Sequence, residues 1–464
     1  MQKLRLPQFL GYASGDAANN LAFSMTTNFL LLYYTDVAGL TAVSVGTLFL
    51  IVRFWDALSD IFAGRMVDRT MTRWGKFRPF ILFGGIPLML LTVAVFAVPG
   101  GLSIDGKYLY AFVTYVVFGF VYSLVNIPYG SLAAAMTQSP SERAKLASFR
   151  VIGSNLTILM LAFVVAPQIQ GSTSLQQSLT TTTLVFVVVG AALYLFTFLT
   201  AKEQVPRDVE RVSIRQTLYS LRHNKPLLML CLSSLMFLTA FLATGTVGAF
   251  YARDVLGNAT YFIVFSIMQT IGTFIAAFLA PTFVGTAGKK RSYILGGVVA
   301  IVGALILFFA PASVPVVAFL AFLVLGFGLG LVNTLMWAFE ADTVEYGEWE
   351  SGVRTEGITY ASFSFTRKMG QALGGAVAAY TIGLGGYVAH AGSHQSASAV
   401  FSIRIAAGII PAAFILVAIA IMAFYPLTES RFRQIVREMA ERRAARARAS
   451  GTPTLVIGDA GATA

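Results

Sequence analysis

The chain has 464 residues, of which 56% are hydrophobic and only 12% are charged, and its mean hydropathy is +0.74. Because soluble domains usually carry roughly twice that charged fraction, the composition excludes an ordinary soluble protein and predicts a membrane protein with many spans. The single cysteine, Cys231, excludes an intramolecular disulfide framework. A net charge of +12 would suggest nucleic acid in a soluble protein. In a membrane protein it indicates basic loops on one side, so no nucleic-acid partner is expected.

Apolar stretches of spanning length follow one another along the chain. The first begins "GYASGDAANN", which is too polar for a signal-peptide core, so we interpret it as a span. The pattern predicts an all-α protein with two six-helix halves (1–200 and 228–430), a central cytoplasmic loop (201–227) and a basic, partly disordered tail (431–464). The twelve predicted spans lie at residues 10–35, 42–66, 79–98, 108–136, 144–169, 180–200, 228–251, 259–284, 292–310, 314–340, 357–384 and 400–426.

Lysine and arginine are distributed unevenly between the two sides of the predicted membrane. Of the 33 such residues, 26 lie at the termini or in loops on the side of the termini, and only Lys107 and Arg253 lie in loops on the other side. Because basic loops stay in the cytoplasm, both termini are expected there. The loops "GRMVDRTMTRWGKFRP" and "FVGTAGKKRSYI", after spans two and eight, are both short, basic and glycine-bearing, which indicates a weak internal repeat.

The stretch "RFWDALSD" puts three charged residues inside the second span. Arg53, Asp56 and Asp60 are spaced i, i+3 and i+7, so on a helix they share one face. A charge at mid-membrane costs about 2.5–3.5 kcal/mol on insertion scales, so this face must look into a wet cavity or towards a counter-charge. Two close carboxylates share a proton or bind a cation. The alternative is a buried ion-pair network that only locks helices together.

A polar stripe in the eleventh span offers the counter-charge. In "TYASFSFTRKMGQA", Ser364, Lys368 and Gln371 follow Tyr360 at helical spacing, with Arg367 beside them. Lys368 is therefore expected to approach the acids of span two from the other half. The alternative is a lysine that snorkels to the cytoplasmic end of the span.

Further polar residues in spans one, four, five and ten predict a shared polar cavity. Amides, hydroxyls, aromatic rings and a few charges suit a hydroxyl-rich ligand, which needs many paired donors and acceptors and an aromatic platform. Any one of these residues could instead make ordinary interhelical hydrogen bonds. The candidate substrate-binding residues are Asp16, Asn19, Asn20, Tyr122, Asn126, Arg150, Ser154, Asn333, Trp337, Ser364, Arg367 and Lys368.

Five segments together resemble one family: "YYTDVAGL", "RFWDALSD", "TRWGKFRPF", "YSLVNIPYGSL" and "EADTVEYGEWESGVRTEGITYASFSFTRKMGQALGG". From about residue 8 to 430 the chain resembles the glycoside–pentoside–hexuronide:cation symporters of the major facilitator superfamily. Its motifs are most similar to those of glucuronide carriers. The resemblance implies the major facilitator fold in a bacterial inner membrane, with the substrate site between the two halves near mid-membrane.

The resemblance also implies roles for individual residues. Asp56 and Asp60 match the acids of the cation site, with Ser59 and Ser123 as further ligands. The positions that the family uses for sugar are matched by Asn19, Asn20, Asn126, Gly130, Arg150 and Lys368. Asn20 and Asn126 stand where the melibiose carrier of this family has acids, so the cavity is more positive and suits an anionic sugar such as a β-glucuronide. The alternatives are a neutral glycoside or pentoside, or a lipid on the same fold.

The expected activity is cation-coupled sugar symport by a monomer that needs no cofactor. We favour H⁺ over Na⁺ as the driving ion, because Asn20 removes an acid and a carboxyl dyad in low dielectric can hold a proton near neutral pH. A Na⁺ at this site is the only metal considered. Enzyme chemistry is not expected, because the histidines and Cys231 lie in separate segments.

An acidic segment, "EADTVEYGEWESGVRTE", follows span ten. It is expected to form a cytoplasmic loop that pairs with basic loops of the other half, or else a solvated turn. The charges expected to act in gating or structure are Arg53, Asp36, Asp342, Glu345 and Arg354.

Overall fold

The computed structural model describes residues 4–137, 140–203, 224–352, 356–388 and 395–449, and within these ranges the protein is helical apart from turns and one isolated β-bridge. Twelve long helices in these ranges form a bundle, and one more follows them. They are α1 (Leu6–Leu32), α2 (Ala42–Arg69), α3 (Arg78–Val95), α4 (Ile104–Met136), α5 (Pro140–Gly171), α6 (Leu175–Thr200), α7 (Lys225–Phe250), α8 (Tyr261–Ala287), α9 (Lys289–Phe309), α10 (Pro315–Ser351), α11 (Glu356–Leu384), α12 (Ala397–Ala423) and α13 (Glu429–Ala449).

Helices α1 to α12 correspond to the twelve predicted spans, and the predicted fold class is confirmed. Ten described helices are long and apolar enough to cross a membrane. The two that fall short are α1 and α11, because their polar residues lower the mean hydropathy: Asp16, Asn19 and Asn20 in α1, and Arg367 and Lys368 in α11. Both of these less apolar helices carry candidate site residues.

The segment "EADTVEYGEWES" is helical, although the sequence predicted a loop. Helix α10 continues through it to Ser351 and ends at Gly352, whose φ of 72° is the left-handed conformation that glycine adopts freely. No proline or glycine pair interrupts the helix before that point. Arg354, most of the predicted central loop (204–223) and the end of the tail (450–464) lie outside the described residues.

The two six-helix halves meet along three pairs of helices. In the first half α1 packs on α5 and α6, and in the second half α7 packs on α11 and α12. Between the halves, α2 lies against α11, α1 against α7, and α5 against α8. The start of α1 and helix α13 lie at one end of the bundle, which we call the terminal face. The other end, where α1 and α7 finish, is called the opposite face.

The two halves end their first helices in the same way. A π-helical turn follows α1 at Tyr33–Val37 and α7 at Tyr251–Val255, in the related sequences "YYTDVAG" and "YARDVLG". Each turn finishes on a glycine with positive φ, 77° at Gly39 and 76° at Gly257. Each first tyrosine hydrogen-bonds backbone near the end of the third helix of its own half: Val98 N donates to the Tyr33 hydroxyl (2.8 Å), and the Tyr251 hydroxyl donates to Leu307 O (2.7 Å). The internal repeat therefore extends to the opposite face.

A glutamate after the last helix of each half holds the start of the third helix. The Glu203 carboxylate accepts backbone N–H groups of Lys76, Phe77 and Arg78, at 2.8–3.2 Å. In the second half the Glu429 carboxylate accepts the Lys289 N–H at 3.1 Å. An anion at a helix N-terminus satisfies donors that have no partner within the helix. The basic loops that the sequence marked as a repeat are thus anchored by equivalent carboxylates.

Candidate substrate and cation site

The charged face of α2 lies at the interface between the halves. Arg53 Nη1 is 3.2 Å from Asp56 Oδ2, and Arg53 Nη2 is 3.5 Å from the Tyr115 hydroxyl. One turn further on, Asp60 forms an ion pair with Lys368 of α11. The predicted approach of Lys368 to the acids of span two is therefore what the structure shows. This pair is a charge contact across the two halves.

Three buried oxygen atoms around these acids have no hydrogen-bond partner among the described residues: Asp56 Oδ1, Ser59 Oγ and Asp60 Oδ1. Ser59 is fully buried, and Ser123 of α4 is 3% exposed. One turn before Ser123, Gly119 lies so close to Asp56 that an added Cβ would overlap Oδ1. Oxygen atoms of this kind are the groups that a proton or a small hard cation takes. The described residues contain no cluster of three or more His, Cys, Asp or Glu side chains suited to a metal.

A second polar cluster joins α1 to α5. Arg150 Nε is 2.8 Å from Asp16 Oδ1, and Asn20 Nδ2 donates to Asp16 Oδ2 at 3.0 Å. Ser154, one turn after Arg150 on α5, is half-buried. The Asp16 side chain is 5% exposed but that of Arg150 is 43% exposed, so the guanidinium still reaches the cavity. A Cβ at Gly130 would meet nothing within 4 Å, which places open space beside α4.

Asn19 does not lie with the cavity residues. It is 2% exposed, and its Oδ1 accepts a hydrogen bond from the Tyr194 hydroxyl of α6 at 2.8 Å. Asn19 and Asn20 are adjacent on a helix and so point about 100° apart, which sends only one of them to the cavity. The structure thus places Asn19, which was predicted to bind substrate, in the packing between α1 and α6.

The aromatic groups near α4 belong to one stack. Tyr122 lies between Phe23 and Phe118, with ring centroids 5.8 and 6.1 Å away. Asn126, one turn further along α4, is half-buried. Because Phe23 belongs to α1, the stack joins the helix of Asp16 to the helix of Asn126.

Arg367 is held within the second half. Its Nη2 donates to Asn333 Oδ1 at 3.0 Å, and its guanidinium lies 5.0 Å from the Trp337 ring centroid and 5.6 Å from that of Phe363. Trp337 is 40% exposed. Ser364 is half-buried on α11, the helix of Arg367. The candidate residues of α10 and α11 therefore form one patch, in which the cation of Arg367 rests on aromatic rings and Lys368 turns to the other half.

The interface above this patch is nearly closed. A cavity of about 20 Å³ lies between the halves, lined by residues that include Arg53, Tyr115 and Gln371. That volume holds about one water molecule. Arg150 and Trp337 nevertheless remain about 40% exposed.

The opposite face is closed by a cluster that the sequence predicted only in part. Arg253 forms an ion pair with Asp36 of the other half and binds its own neighbour Asp254 through Nε and Nη2, at 2.8 and 2.9 Å. The Tyr387 hydroxyl donates to Asp36 Oδ1 at 2.7 Å. Asp36 was expected to act in gating, but Arg253, Asp254 and Tyr387 were missed. The repeat of "YYTDVAG" in "YARDVLG" was the signal that could have found two of them.

Asp342, near the end of α10, contacts its own half. Asp342 accepts two hydrogen bonds from Lys289 Nζ, at 2.7 and 2.8 Å, and both residues belong to the second half. The predicted pairing of this segment with basic loops of the first half is therefore not what Asp342 does. The reason is that Lys289 opens α9, which packs along α10. Glu345 is half-buried one turn further on.

Comparison with known proteins decides the family. The sequence model of the family described as "MFS/sugar transport protein" matches residues 11–429. The chain is 44% identical over 446 residues to the glucuronide carrier protein homolog of Escherichia coli, covering 95% of this chain and 97% of that one. This protein is a member of the MFS sugar-transport family.

Other similarities agree with that membership. The isoprimeverose transporter of Lactiplantibacillus pentosus is 33% identical over 397 residues, 84% of this chain and 82% of that one. The crystal structure of the nucleoside transporter NupG superposes with a TM-score of 0.65 at 12% identity, over 91% of this chain and 100% of that one. At that identity the likeness concerns the fold alone. As a member of the MFS sugar-transport family, the protein is a multi-pass membrane transporter and not an enzyme.

Proposed function

We propose that this transporter imports a glycoside, most specifically a β-glucuronide, together with a cation. The observation that carries the proposal is the Asp60–Lys368 ion pair, which joins a carboxylate with an unpartnered oxygen to a lysine beside the polar cavity. A cation that binds Asp56 and Asp60 competes with Lys368 for the carboxylate. The released ammonium group can then bind the carboxylate of a glucuronide, so one charge couples the two ligands.

Electrostatics supports this exchange. A charge-assisted hydrogen bond contributes about 1.5–3 kcal/mol, and the Lys368 side chain, which is only 32% exposed, has lost part of its hydration and is stabilised by an anion. Lys368 therefore needs an anion in each state: Asp60 when the cation is absent, and the sugar carboxylate when the cation is bound. Asp16 already neutralises Arg150, so Lys368 is the better candidate for the sugar carboxylate.

The proposed direction follows from the charge distribution. With 26 of 33 lysines and arginines on the side of the termini, the terminal face lies in the cytoplasm of a bacterial cell. With that orientation we interpret the structure as an inward-facing state, in which Asp36, Arg253 and Tyr387 shut the external side. Alternating access requires that cluster to separate when substrate enters from outside.

Uptake into right-side-out vesicles tests the proposal. Radiolabelled methyl β-D-glucuronide should accumulate above its equilibrium level when a proton gradient is imposed, and unlabelled glycosides should compete in proportion to their affinity. A sodium gradient at fixed pH, applied in the same vesicles, identifies the coupling ion, for which we favour H⁺. No accumulation under either gradient would remove the proposal of cation-coupled glucuronide uptake.

A neutral glycoside or pentoside is the second candidate substrate. The neutralisation of Arg150 by Asp16 favours it, because only part of the positive charge expected from the sequence remains available in the cavity. The same competition assay decides between the two. If methyl β-D-glucoside or a pentoside competes better than the glucuronide, the general glycoside symporter remains and the glucuronide assignment falls.

A further inference from the structure

A cavity of about 550 Å³ lies between the halves at the opposite face. The Asp36–Arg253 pair, which joins the two halves, forms part of its wall. The rest of the wall comes largely from the end of α5 and the turn before α6, where hydroxyl and amide groups predominate: Gln170, Ser172, Thr173, Ser174 and Gln176. Cavities of 300–1,000 Å³ are typical of small-molecule sites.

The charges in the wall indicate the kind of ligand. Asp36 and Arg253 line the cavity, and Arg253 also pairs with Asp254. These three residues together carry a net charge of −1 if all are ionised, so an anion is disfavoured there. Arg253 donates through Nε and Nη2 to Asp254, through Nη1 to Asp36 and through Nη2 to Tyr387, which occupies four of its five N–H groups. Among the described residues no acceptor takes the fifth. The wall thus offers a carboxylate acceptor and a guanidinium donor side by side, which neutral hydroxyl groups satisfy because they donate and accept.

The same wall contains the contacts that hold this face shut. Asp36 and Arg253 belong to different halves, and so do Gln170 and Ala259, whose backbone N–H donates to Gln170 Oε1 at 2.7 Å. When the halves separate, all four groups lose a partner. A polyhydroxylated ligand in the cavity replaces those hydrogen bonds, so it lowers the cost of opening.

We propose that this cavity is an arrival site for the sugar ring of a glycoside, bound through its hydroxyl groups before the opposite face opens. The direction of transport rests on the function proposed above. Because the site hydrogen-bonds the hydroxyl groups and not the carboxylate, neutral and anionic glycosides bind it with similar affinity. Discrimination by charge then occurs at the central site, at Lys368.

Cysteine protection tests the proposal in the full chain. The background carries Cys231→Ala, which removes the native cysteine, together with Arg150→Gln and Lys368→Gln, which remove two cations of the central site. In this background Thr173→Cys, at an exposed position of the wall, is labelled with a membrane-impermeant maleimide in right-side-out vesicles. Methyl β-D-glucoside and methyl β-D-glucuronide at saturation should each slow labelling about threefold, since an occupied cavity excludes the reagent. Tetrahydropyran, the same ring without hydroxyl groups, should not.

Two further variants keep the result interpretable. Ser172→Cys, a near-isosteric change, repeats the measurement if Thr173→Cys does not fold. Gly101→Cys, on the α3–α4 turn where a Cβ meets nothing within 4 Å, reports changes of conformation away from the cavity. Equal slowing at Gly101→Cys, slowing by the glucuronide alone, or no slowing by either glycoside overturns the arrival site.

Uptake of both glycosides by the unmodified protein is measured in parallel. If the glycosides are taken up but do not protect Thr173→Cys from labelling, the arrival site alone is contradicted. If they protect it but are not taken up, the proposed function alone is contradicted.

Discussion

Asp36 and Asp254 occupy equivalent positions in the two halves, and both bind Arg253. Each is the fourth residue of a π-helical turn that ends the first helix of its half. Arg253 stands at the position that Thr35 occupies in the other repeat. A symmetric pair of aspartates therefore shares one asymmetric arginine, and this sharing ties the halves together at the opposite face.

The first prediction concerns this cluster. Asp36→Asn removes the charge across the halves but leaves Arg253 paired with Asp254, so folding should survive while the closed state loses about 1.5–3 kcal/mol. Thr47→Cys in α2, whose native hydroxyl is 2.7 Å from Tyr380 of α11, should then react with external maleimide at least about tenfold faster. Asp105→Asn, an exposed acid on the same face, is the matched control. Unchanged labelling would show that the cluster does not hold this face shut.

The second prediction concerns coupling. Asp56→Asn and Asp60→Asn should each abolish uphill uptake, because each removes a carboxylate from the proposed cation site, while exchange of substrate down its gradient should persist at least in part. Ser59→Ala should have a smaller effect, since it removes one neutral ligand. Vesicle uptake with and without an imposed gradient measures both quantities, with Asp105→Asn as the control. Full accumulation by Asp60→Asn would exclude that residue from coupling.

The third prediction tests the same site without removing a ligand. A Cβ at Gly119 would overlap Asp56 Oδ1, so Gly119→Ala should displace that oxygen. The cation concentration needed for half-maximal uptake should then rise about tenfold, which is equivalent to a loss of about 1.4 kcal/mol in cation binding. Gly285→Ala in α8, where a Cβ meets nothing within 4 Å, is the matched control. The cation concentration that gives half-maximal uptake is the quantity to compare. Equal values in the two variants would mean that Asp56 Oδ1 is not a ligand.

The fourth prediction concerns Lys368. Lys368→Gln should weaken glucuronide binding by about tenfold or more, since a lost charge-assisted bond is worth over 1.4 kcal/mol, and should affect the neutral glucoside much less. Competition against labelled substrate measures the two affinities in one preparation. Arg367→Gln is the comparison, because Arg367 is already held by Asn333 and Trp337. If Lys368→Gln lowers the affinity for both sugars equally, the lysine hydrogen-bonds sugar hydroxyl groups or only stabilises the packing of the helices.

The fifth prediction concerns the anchoring carboxylates. Glu203→Gln weakens three backbone hydrogen bonds at the start of α3 and removes an anion from a helix N-terminus, so it should lower the free energy of unfolding by about 1–2 kcal/mol. Glu429→Gln should cost less, since its carboxylate accepts one such bond. Thermal unfolding in detergent compares them with Glu441→Gln, an exposed glutamate of α13. An unfolding temperature of Glu203→Gln equal to that control would contradict the anchoring role.

The sequence by itself determined the helical architecture of this protein and the identity of its mid-span charges. Stretches of spanning length are a local property of the sequence, so they located the twelve spans and the division into halves, although α1 and α11 are less apolar than the other ten. Helical periodicity placed Asp56 and Asp60 on one face, and the cost of a charge in the membrane required a partner, which suggested Lys368. Resemblance of the motifs gave the family.

Only the tertiary structure decided which partner each polar group takes. Asn19 and Asn20 are equivalent in composition, yet the orientation of α1 directs Asn19 to Tyr194 of α6. Asn20 bonds Asp16 one turn earlier on α1, whose carboxylate Arg150 of α5 also binds. The sequence predicted Arg253 only as a charge in an external loop. In the structure it lies in a π-helical turn and binds Asp36, more than two hundred residues away in the chain. Pairings of this kind depend on how the helices pack within and between the halves. That geometry is set by packing summed over many helices, and no local pattern records it.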